Sequence, residues 1–161
     1  MSATENGAGP EARLAELGIA LPDVAAPVAA YVPAVRSGQY VYTAGQLPFV
    51  DGALAVTGKV GEGDGLVAPD VAADLARTCA LNALAAVRSL TGTLDGARVV
   101  KVTGFVASDP SFTGQPGVIN GASTVLGEIF GDAGVHARSA VGVAVLPLDA
   151  PVEVELLVEL V

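Results

Sequence analysis

The sequence predicts an α+β fold in which two helices pack on one face of a mixed β-sheet. Paired strand-like runs stand near both ends of the chain, which indicates a hairpin at each end. Between these pairs, single amphipathic helices alternate with a strand, so the expected order is β-β-α-β-α-β-β after a short N-terminal helix. A length of 161 residues fits one domain of this kind.

The N-terminal part is expected to be an extension, residues 1–27, that precedes a main domain of residues 28–161. Residues 1–10 are small and polar and are typical of a disordered tail. Residues 11–17 are rich in helix formers and are followed by Gly18, which predicts a short helix.

The first two strands are predicted at residues 31–36 and 39–44, after a segment rich in Pro and Ala at 21–30. Ser37 and Gly38 separate the two runs, which favours a hairpin. Residues 49–68 carry five glycines and are predicted to form a long loop. Loops of this length are uncommon in compact domains, so a functional or interface role is expected for it.

The most clearly amphipathic helix is predicted over residues 70–90, with Asp70 as its N-terminal cap and Gly92 at its end. Steps of 100° per residue place its apolar side chains on one broad arc: Leu75, Cys79, Ala83, Leu84, Ala86, Val87 and Leu90.

The C-terminal half is predicted to contain a strand at 98–107, a helix at 117–130 closed by Gly131, and strands at 139–146 and 152–160. The last strand alternates in character. One face is expected to carry Val152, Val154, Leu156, Val158 and Leu160, and the other Glu153, Glu155, Leu157 and Glu159.

The composition excludes disorder, because 52% hydrophobic and 16% charged residues allow a large core to form. This apolar content also favours an oligomer, with a partner subunit covering part of the surface; a bias toward Ala, Val and Gly is the alternative explanation. The N-terminus has no basic, apolar signal pattern, and the chain is expected to be a soluble cytoplasmic protein.

The net charge of −9 argues against nucleic acids and anionic membranes as partners, since both require a cationic surface. Cys79 is the only cysteine and is expected to lie in the core, which fits a reducing compartment. With only one histidine and one cysteine in the chain, a transition-metal site would have to be built almost wholly from carboxylates, so a zinc site is not expected.

The residue of greatest chemical interest is Arg138, which begins an otherwise uncharged strand. Its planar guanidinium suits a carboxylate ligand. Considered alone, the residue more readily fits a structural ion pair with a strand glutamate. A glutamate beside it on a neighbouring antiparallel strand could hold a water or a substrate nitrogen as acid and base, although a solvated sheet face is the ordinary alternative. His136 is predicted to lie in an exposed loop, and no nucleophile can be assigned to it from the sequence.

Several segments, distributed from about Tyr31 to Glu155, together resemble the Rid family (reactive intermediate deaminase, also called YjgF-like). They are Ala30-Tyr31-Val32, Thr43-Ala44-Gly45-Gln46-Leu47-Pro48, Asp70-Val71-Ala72-Ala73, Val118-Ile119-Asn120, Ala137-Arg138-Ser139, Leu146-Pro147 and Val152-Glu153-Val154-Glu155.

The resemblance implies a chorismate-mutase-like fold assembled as a homotrimeric barrel, with sites in the clefts between subunits. It implies hydrolysis of 2-imino or enamine acids to 2-keto acids and ammonia, without metal or cofactor. Arg138 would bind the substrate carboxylate, Glu153 would lie near the attacking water, and Tyr31, Gly45 and Asn120 would line the same cleft.

The chain also departs from the family pattern. Deaminase-type members carry Cys two residues after the arginine, where this chain has Ala140, and the N-terminal extension and the loop at 51–68 are long. These departures indicate a divergent subgroup. They keep open a second hypothesis, a non-catalytic trimer that binds small carboxylates and has a regulatory role. The ribonuclease activity often attributed to the family is disfavoured by the acidic charge.

Overall fold

The computed structural model describes residues 7–24 and 30–161. Parts of the predicted tail and of the Pro/Ala segment therefore lie outside the described residues, as does the predicted boundary between residues 27 and 28. The helices and strands are α1 (Pro10–Glu16), β1 (Ala34–Ser37), β2 (Tyr40–Thr43), α2 (Pro69–Thr91), β3 (Ala97–Ala107), α3 (Gln115–Phe130), β4 (Ala137–Val143) and β5 (Val152–Leu160).

The five strands form one mixed sheet in the order β1-β2-β5-β3-β4, with α2 and α3 packed on one face. Strands β3 and β4 are parallel, and all other neighbours are antiparallel. The predicted α+β fold and the order of its elements are confirmed. Alternation along β5 is confirmed as well, since Val152, Val154, Leu156 and Val158 are buried while the residues between them are half-buried.

The hairpin predicted at the C-terminal end is wrong, because β4 and β5 are not neighbours. Strand β4 follows α3 in a β-α-β crossover and therefore lies parallel to β3, at the edge of the sheet. Strand β5 then returns between β2 and β3. Strand-like runs at 139–146 and 152–160 are compatible with either a crossover or a hairpin, so the sequence pattern alone does not distinguish them.

Several strand boundaries differ from those predicted. Residues 31–33 precede β1, and the two-residue turn of the first hairpin is Gly38-Gln39, one residue later than expected. Strand β4 begins at Ala137 and ends at Val143, where its pairing with β3 stops at Ala107; the chain then forms a short 3₁₀ segment at Pro147–Asp149. Proline at position 147 has no backbone N–H to continue a strand ladder.

Helix α2 begins at Pro69, whose ring fits the first helical position. The predicted cap at Asp70 is therefore wrong: Asp70 lies inside the first turn, where its Oδ1 accepts a hydrogen bond from the N–H of Val71. The predicted end is confirmed, since Gly92 adopts a left-handed conformation. Leu90, predicted on the apolar arc, is exposed.

A close crossing of α2 and α3 forms much of the helical layer. The buried face of α2 is mostly small side chains, including Ala72, Ala76, Ala80 and Ala83. At Gly121 on α3, an added Cβ would overlap the carbonyl oxygen of Ala73, so glycine is what allows the two backbones to approach this closely.

The segment 49–68 contains no helix or strand, as predicted, but it packs against the main domain. Val60 is fully buried and makes isolated bridges with Val67 and Ser108. Helix α1 is also anchored: Leu14 is buried, and Glu11 accepts a hydrogen bond from the N–H of Leu94 and pairs with Arg88 at 3.1 Å. This contact also holds Arg88 of α2 against α1.

Candidate functional site

Arg138 lies at the second position of β4, and its side chain reaches across to α3. Its Nη1 donates to Oδ1 of Asn120 at 2.8 Å and to Oγ of Ser123 at 3.2 Å. Its Nη2 donates to the carbonyl oxygen of Pro116 at 3.3 Å. The partner of Arg138 in β3 is Val102, which is fully buried beneath the helices, so Arg138 lies on the helical face of the sheet.

All three acceptors around this guanidinium are neutral. In residues 7–24 and 30–161, the ion pairs join Arg13 to Glu16 and Arg88 to Glu11, and none involves Arg138. The alternative of a structural ion pair with a strand glutamate is therefore wrong. A guanidinium has five N–H donors, and three hydrogen bonds leave donors available for a planar anion.

Glu153 lies on β5, opposite Phe105 of β3. Its side chain is half-buried, and burial, followed by the nearby charge of Glu155, raises the pKa of its carboxyl. A Cβ at position 45 would overlap Oε1 of Glu153. Gly45 thus leaves the space that the carboxyl group occupies.

Arg138 and Glu153 do not meet within one chain. Strand β3 separates their strands, so the sheet places them about 10 Å apart across the strands. Glu153 is level with Val141 of β4, three residues beyond Arg138, which puts the two side chains on opposite faces. The hypothesis of a glutamate beside Arg138 on an antiparallel neighbour is wrong for the single chain.

The other predicted site residues are also divided. Asn120 is in direct contact with Arg138, and Gly45 is in contact with Glu153. Tyr31 is 49% exposed and lies three residues before β1. Strands β1 and β4 are opposite edges of the five-stranded sheet, so Tyr31 lies at the far side of the chain from Arg138.

The structure adds two residues that the sequence reasoning missed, Ser123 and His136. His136 is half-buried, contrary to the prediction of an exposed loop, because the short 3₁₀ turn at Gly131–Gly134 folds it back against α3. Its Nε2 lies 2.9 Å from Oγ of Ser123, and its Nδ1 lies 2.6 Å from the carbonyl oxygen of Gly134. The available signal was the spacing of Asn120 and Ser123, which places both on one helical face.

Cys79 is fully buried, as predicted, and burial followed by the charge of Glu153 raises the pKa of its thiol. The thiol is therefore held in its protonated, unreactive form. Within the described parts of the chain, no group of three or more His, Cys, Asp or Glu side chains is arranged to hold a metal ion. The helices of these same residues include none that is long and apolar enough to cross a membrane.

Residues 11–160 match the family described as "YjgF/chorismate_mutase-like, putative endoribonuclease". The chain belongs to this YjgF/chorismate mutase-like family. The match spans α1 and all five strands, so it includes both the Arg138 and the Glu153 halves of the candidate site.

Relatives of this chain within the YjgF family cover nearly its whole length. Protein TCP17 of Trypanosoma cruzi is 46% identical over 151 residues, which are 92% of each protein. The crystal structure of protein Atu1372 from Agrobacterium tumefaciens is 46% identical with a TM-score of 0.84, covering 94% of this chain and 92% of that one. A structure from Shewanella oneidensis MR-1, titled a putative endoribonuclease, is 32% identical with a TM-score of 0.89, covering 95% and 100%.

Proposed function

We propose that this protein hydrolyses reactive 2-imino and enamine acids to 2-keto acids and ammonia. The observation that carries the proposal is the guanidinium of Arg138, held by three neutral acceptors with no carboxylate partner in residues 7–24 and 30–161. A fixed cation with free donors is suited to the carboxylate of a small organic acid. Membership of the YjgF family supports the same role.

The reaction needs little beyond positioning and a proton carrier. Arg138 would hold the substrate carboxylate while water adds to the imine carbon, giving a carbinolamine. Glu153 would accept a proton from that water and pass it to the imine nitrogen as the carbinolamine forms. It would then take the proton of the carbinolamine hydroxyl and give it to the amine nitrogen, so that the C=O bond forms, the C–N bond breaks and ammonia leaves. A raised pKa suits a carboxyl group that must both accept and donate a proton near neutral pH.

This chemistry requires a second copy of the chain, because one chain keeps Arg138 and Glu153 on opposite sheet faces. The open face of the sheet combines charged side chains such as Lys101 with exposed apolar ones, which suits an interface between copies: Tyr42 is 50% exposed and Val141 is 44% exposed, with Phe105 and Leu157 on the same face. We place the site at the seam of a homotrimer, where the Glu153 and Gly45 of one copy complete the Arg138 and Asn120 of another.

A non-catalytic role is the alternative, and one observation favours it. Ala140 follows Arg138 on the same face of β4, where deaminase-type members of the family have a cysteine. In that case the part of the site that binds the carboxylate would be intact, but the protein would not hydrolyse the imine. Such a trimer would bind 2-keto acids through Arg138 without accelerating their formation.

We propose that the protein acts in the cytoplasm, on a small molecule. The net charge of −9 gives phosphate backbones and anionic lipid surfaces little to bind, so neither nucleic acid nor membrane is proposed as a partner.

The decisive experiment couples the protein to an amino-acid oxidase, which generates 2-imino acids, and traps the remaining imine with semicarbazide. The wild-type protein should reduce the trapped product, Arg138→Ala should abolish this effect, and Arg36→Ala is the matched control because Arg36 is exposed on β1. Equal trapping with and without the protein would reject the enzyme. Calorimetry with a 2-keto acid then tests the alternative, and an RNA cleavage assay with Arg138→Ala tests nuclease activity.

A further inference from the structure

We propose that His136 and Ser123 form a directional hydrogen-bond chain that fixes the orientation of the Arg138 guanidinium. The two residues would thereby be positioning residues for the anion that Arg138 binds. The inference rests on the proposed function for the role of Arg138, but the hydrogen-bond chain itself is defined by the distances between its atoms. It runs from the carbonyl oxygen of Gly134 through His136 and Ser123 to Nη1 of Arg138.

The direction of each hydrogen bond follows from its neighbours. A carbonyl oxygen can only accept, so Nδ1 of His136, 2.6 Å from the oxygen of Gly134, must carry a proton. In the neutral imidazole, Nε2 is then an acceptor, and the hydroxyl of Ser123 donates to it. The lone pairs of Ser123 Oγ are left for Nη1 of Arg138, which can only donate.

The hydroxyl of Ser123 does not make the contacts that are usual for a serine within a helix. A serine within a helix commonly turns its hydroxyl back to the carbonyl four residues earlier or points it into solvent. Ser123 is instead half-buried and contacts His136 and Arg138. The imidazole therefore sets the hydroxyl rotamer, and the hydroxyl presents its oxygen to the guanidinium.

The consequence concerns the plane of the guanidinium. Asn120 and Ser123 lie one turn apart on α3, and both accept from Nη1. Two acceptors for the two protons of Nη1 hold the plane of the whole guanidinium, and with it the direction of the remaining N–H donors. Loss of the Ser123 oxygen would remove this constraint and weaken the affinity for a carboxylate about tenfold, while the rate of the chemical step would change little.

The first test needs neither ligand nor activity. His136 is the only histidine in the chain, so its two ring nitrogens can be assigned without ambiguity in ¹⁵N NMR spectra. The proposal expects the tautomer protonated on Nδ1, and a shift of the Nε2 resonance in Ser123→Ala. Observation of the tautomer protonated on Nε2 in the wild-type protein would overturn the proposal.

The second test follows the guanidinium directly. Exchange between the Nη protons of Arg138 should be slow in the wild type, faster in Ser123→Ala and His136→Phe, and slow again in Ser123→Thr, which keeps the hydroxyl. Thr124→Ala, on the next and exposed position of α3, is the matched control and should behave as the wild type. Equal exchange rates in wild type and Ser123→Ala, with both folded by circular dichroism, would exclude the positioning role.

Kinetics separate this inference from the proposed function. If imine hydrolysis occurs, Ser123→Ala should raise KM about tenfold at nearly constant kcat, and Ser123→Thr should recover most of the loss. If no hydrolysis occurs, the proposed function fails, yet the tautomer and the exchange rates still decide the inference. A fall in kcat at constant KM in Ser123→Ala would contradict positioning and indicate a direct part in the chemistry.

Discussion

Arg138 and Glu153 lie on opposite faces of one sheet, with strand β3 between their strands. Neither side chain can reach the other face without disrupting the strand that carries it. A reaction that uses both groups must therefore draw them from different copies of the chain. Whether the two groups can share one site therefore depends on how copies of the chain assemble.

Complementation between inactive variants tests this arrangement. Arg138→Ala and Glu153→Gln should each lack imine hydrolysis, because each removes one half of the site. When the two are unfolded together and refolded, a seam that joins the intact Arg138 of one copy to the intact Glu153 of another should recover activity. Recovery of a substantial fraction of the wild-type rate is expected. A mixture as inactive as its components would reject a shared site built from the Arg138 of one copy and the Glu153 of another.

The stability of the protein should depend on pH through Glu153. Burial raises the pKa of this carboxyl above its ordinary value of 4.5, so the folded state favours the protonated form. The associated stability is fully present below the ordinary value and is lost as the pH rises through the raised pKa. Thermal unfolding should show Glu153→Gln to be more stable than the wild type at pH 8, with the difference vanishing toward pH 4.

Glu159→Gln is the control for this measurement, because it removes a carboxylate from the same face of β5. An equal gain in Glu159→Gln would show that the effect comes from the net charge of this face and not from the burial of Glu153. A Glu153→Gln variant that is no more stable than the wild type at pH 8 would contradict the effect of burial. The same variant should be inactive, so stability and activity would change in opposite directions at one residue.

The sequence predicted the order of the elements better than the contacts between them. Alternation along β5 and the apolar face of α3 depend on local periodicity, which sequence shows directly. The placement of β5 between β2 and β3 depends on a crossover, which local periodicity does not determine. The contacts of Arg138 and the burial of His136 follow from that same crossover, because it places the start of β4 beside α3.

Gly45→Ala should impair catalysis while the protein stays folded. The added methyl group would overlap Oε1 of Glu153, and the carboxyl, as the end of a flexible side chain, would move away. We expect kcat to fall by about 10- to 100-fold, since a displacement of about 1 Å at a catalytic group has this order of effect. Gly117→Ala is the matched control, because nothing lies within 4 Å of the added Cβ. Full activity in Gly45→Ala would show that the activity does not depend on the position of the Glu153 carboxyl group.

Gly121→Ala should destabilise the fold through the crossing of α2 and α3. Its Cβ would overlap the backbone carbonyl of Ala73, which cannot move without separating the helices. A cost of about 1–3 kcal/mol in the free energy of unfolding is expected. Gly127→Ala on the same helix has open space around the added Cβ and should instead stabilise by about 0.5–1 kcal/mol. Urea unfolding of the two variants measures the contrast, and equal effects would contradict it.

The open face of the sheet should determine the oligomeric state. Tyr42→Asp places a charge on this face, beside Leu157 of the central strand, where a subunit interface would have to desolvate it. Light scattering coupled to size exclusion should give a trimer for the wild-type protein and smaller particles for Tyr42→Asp, with loss of activity because the seam is lost. Leu90→Asp changes an equally exposed apolar residue on α2, behind the opposite face, and should remain trimeric and active. A monomeric wild type, or a Tyr42→Asp variant that stays trimeric, would show that this face does not join the copies.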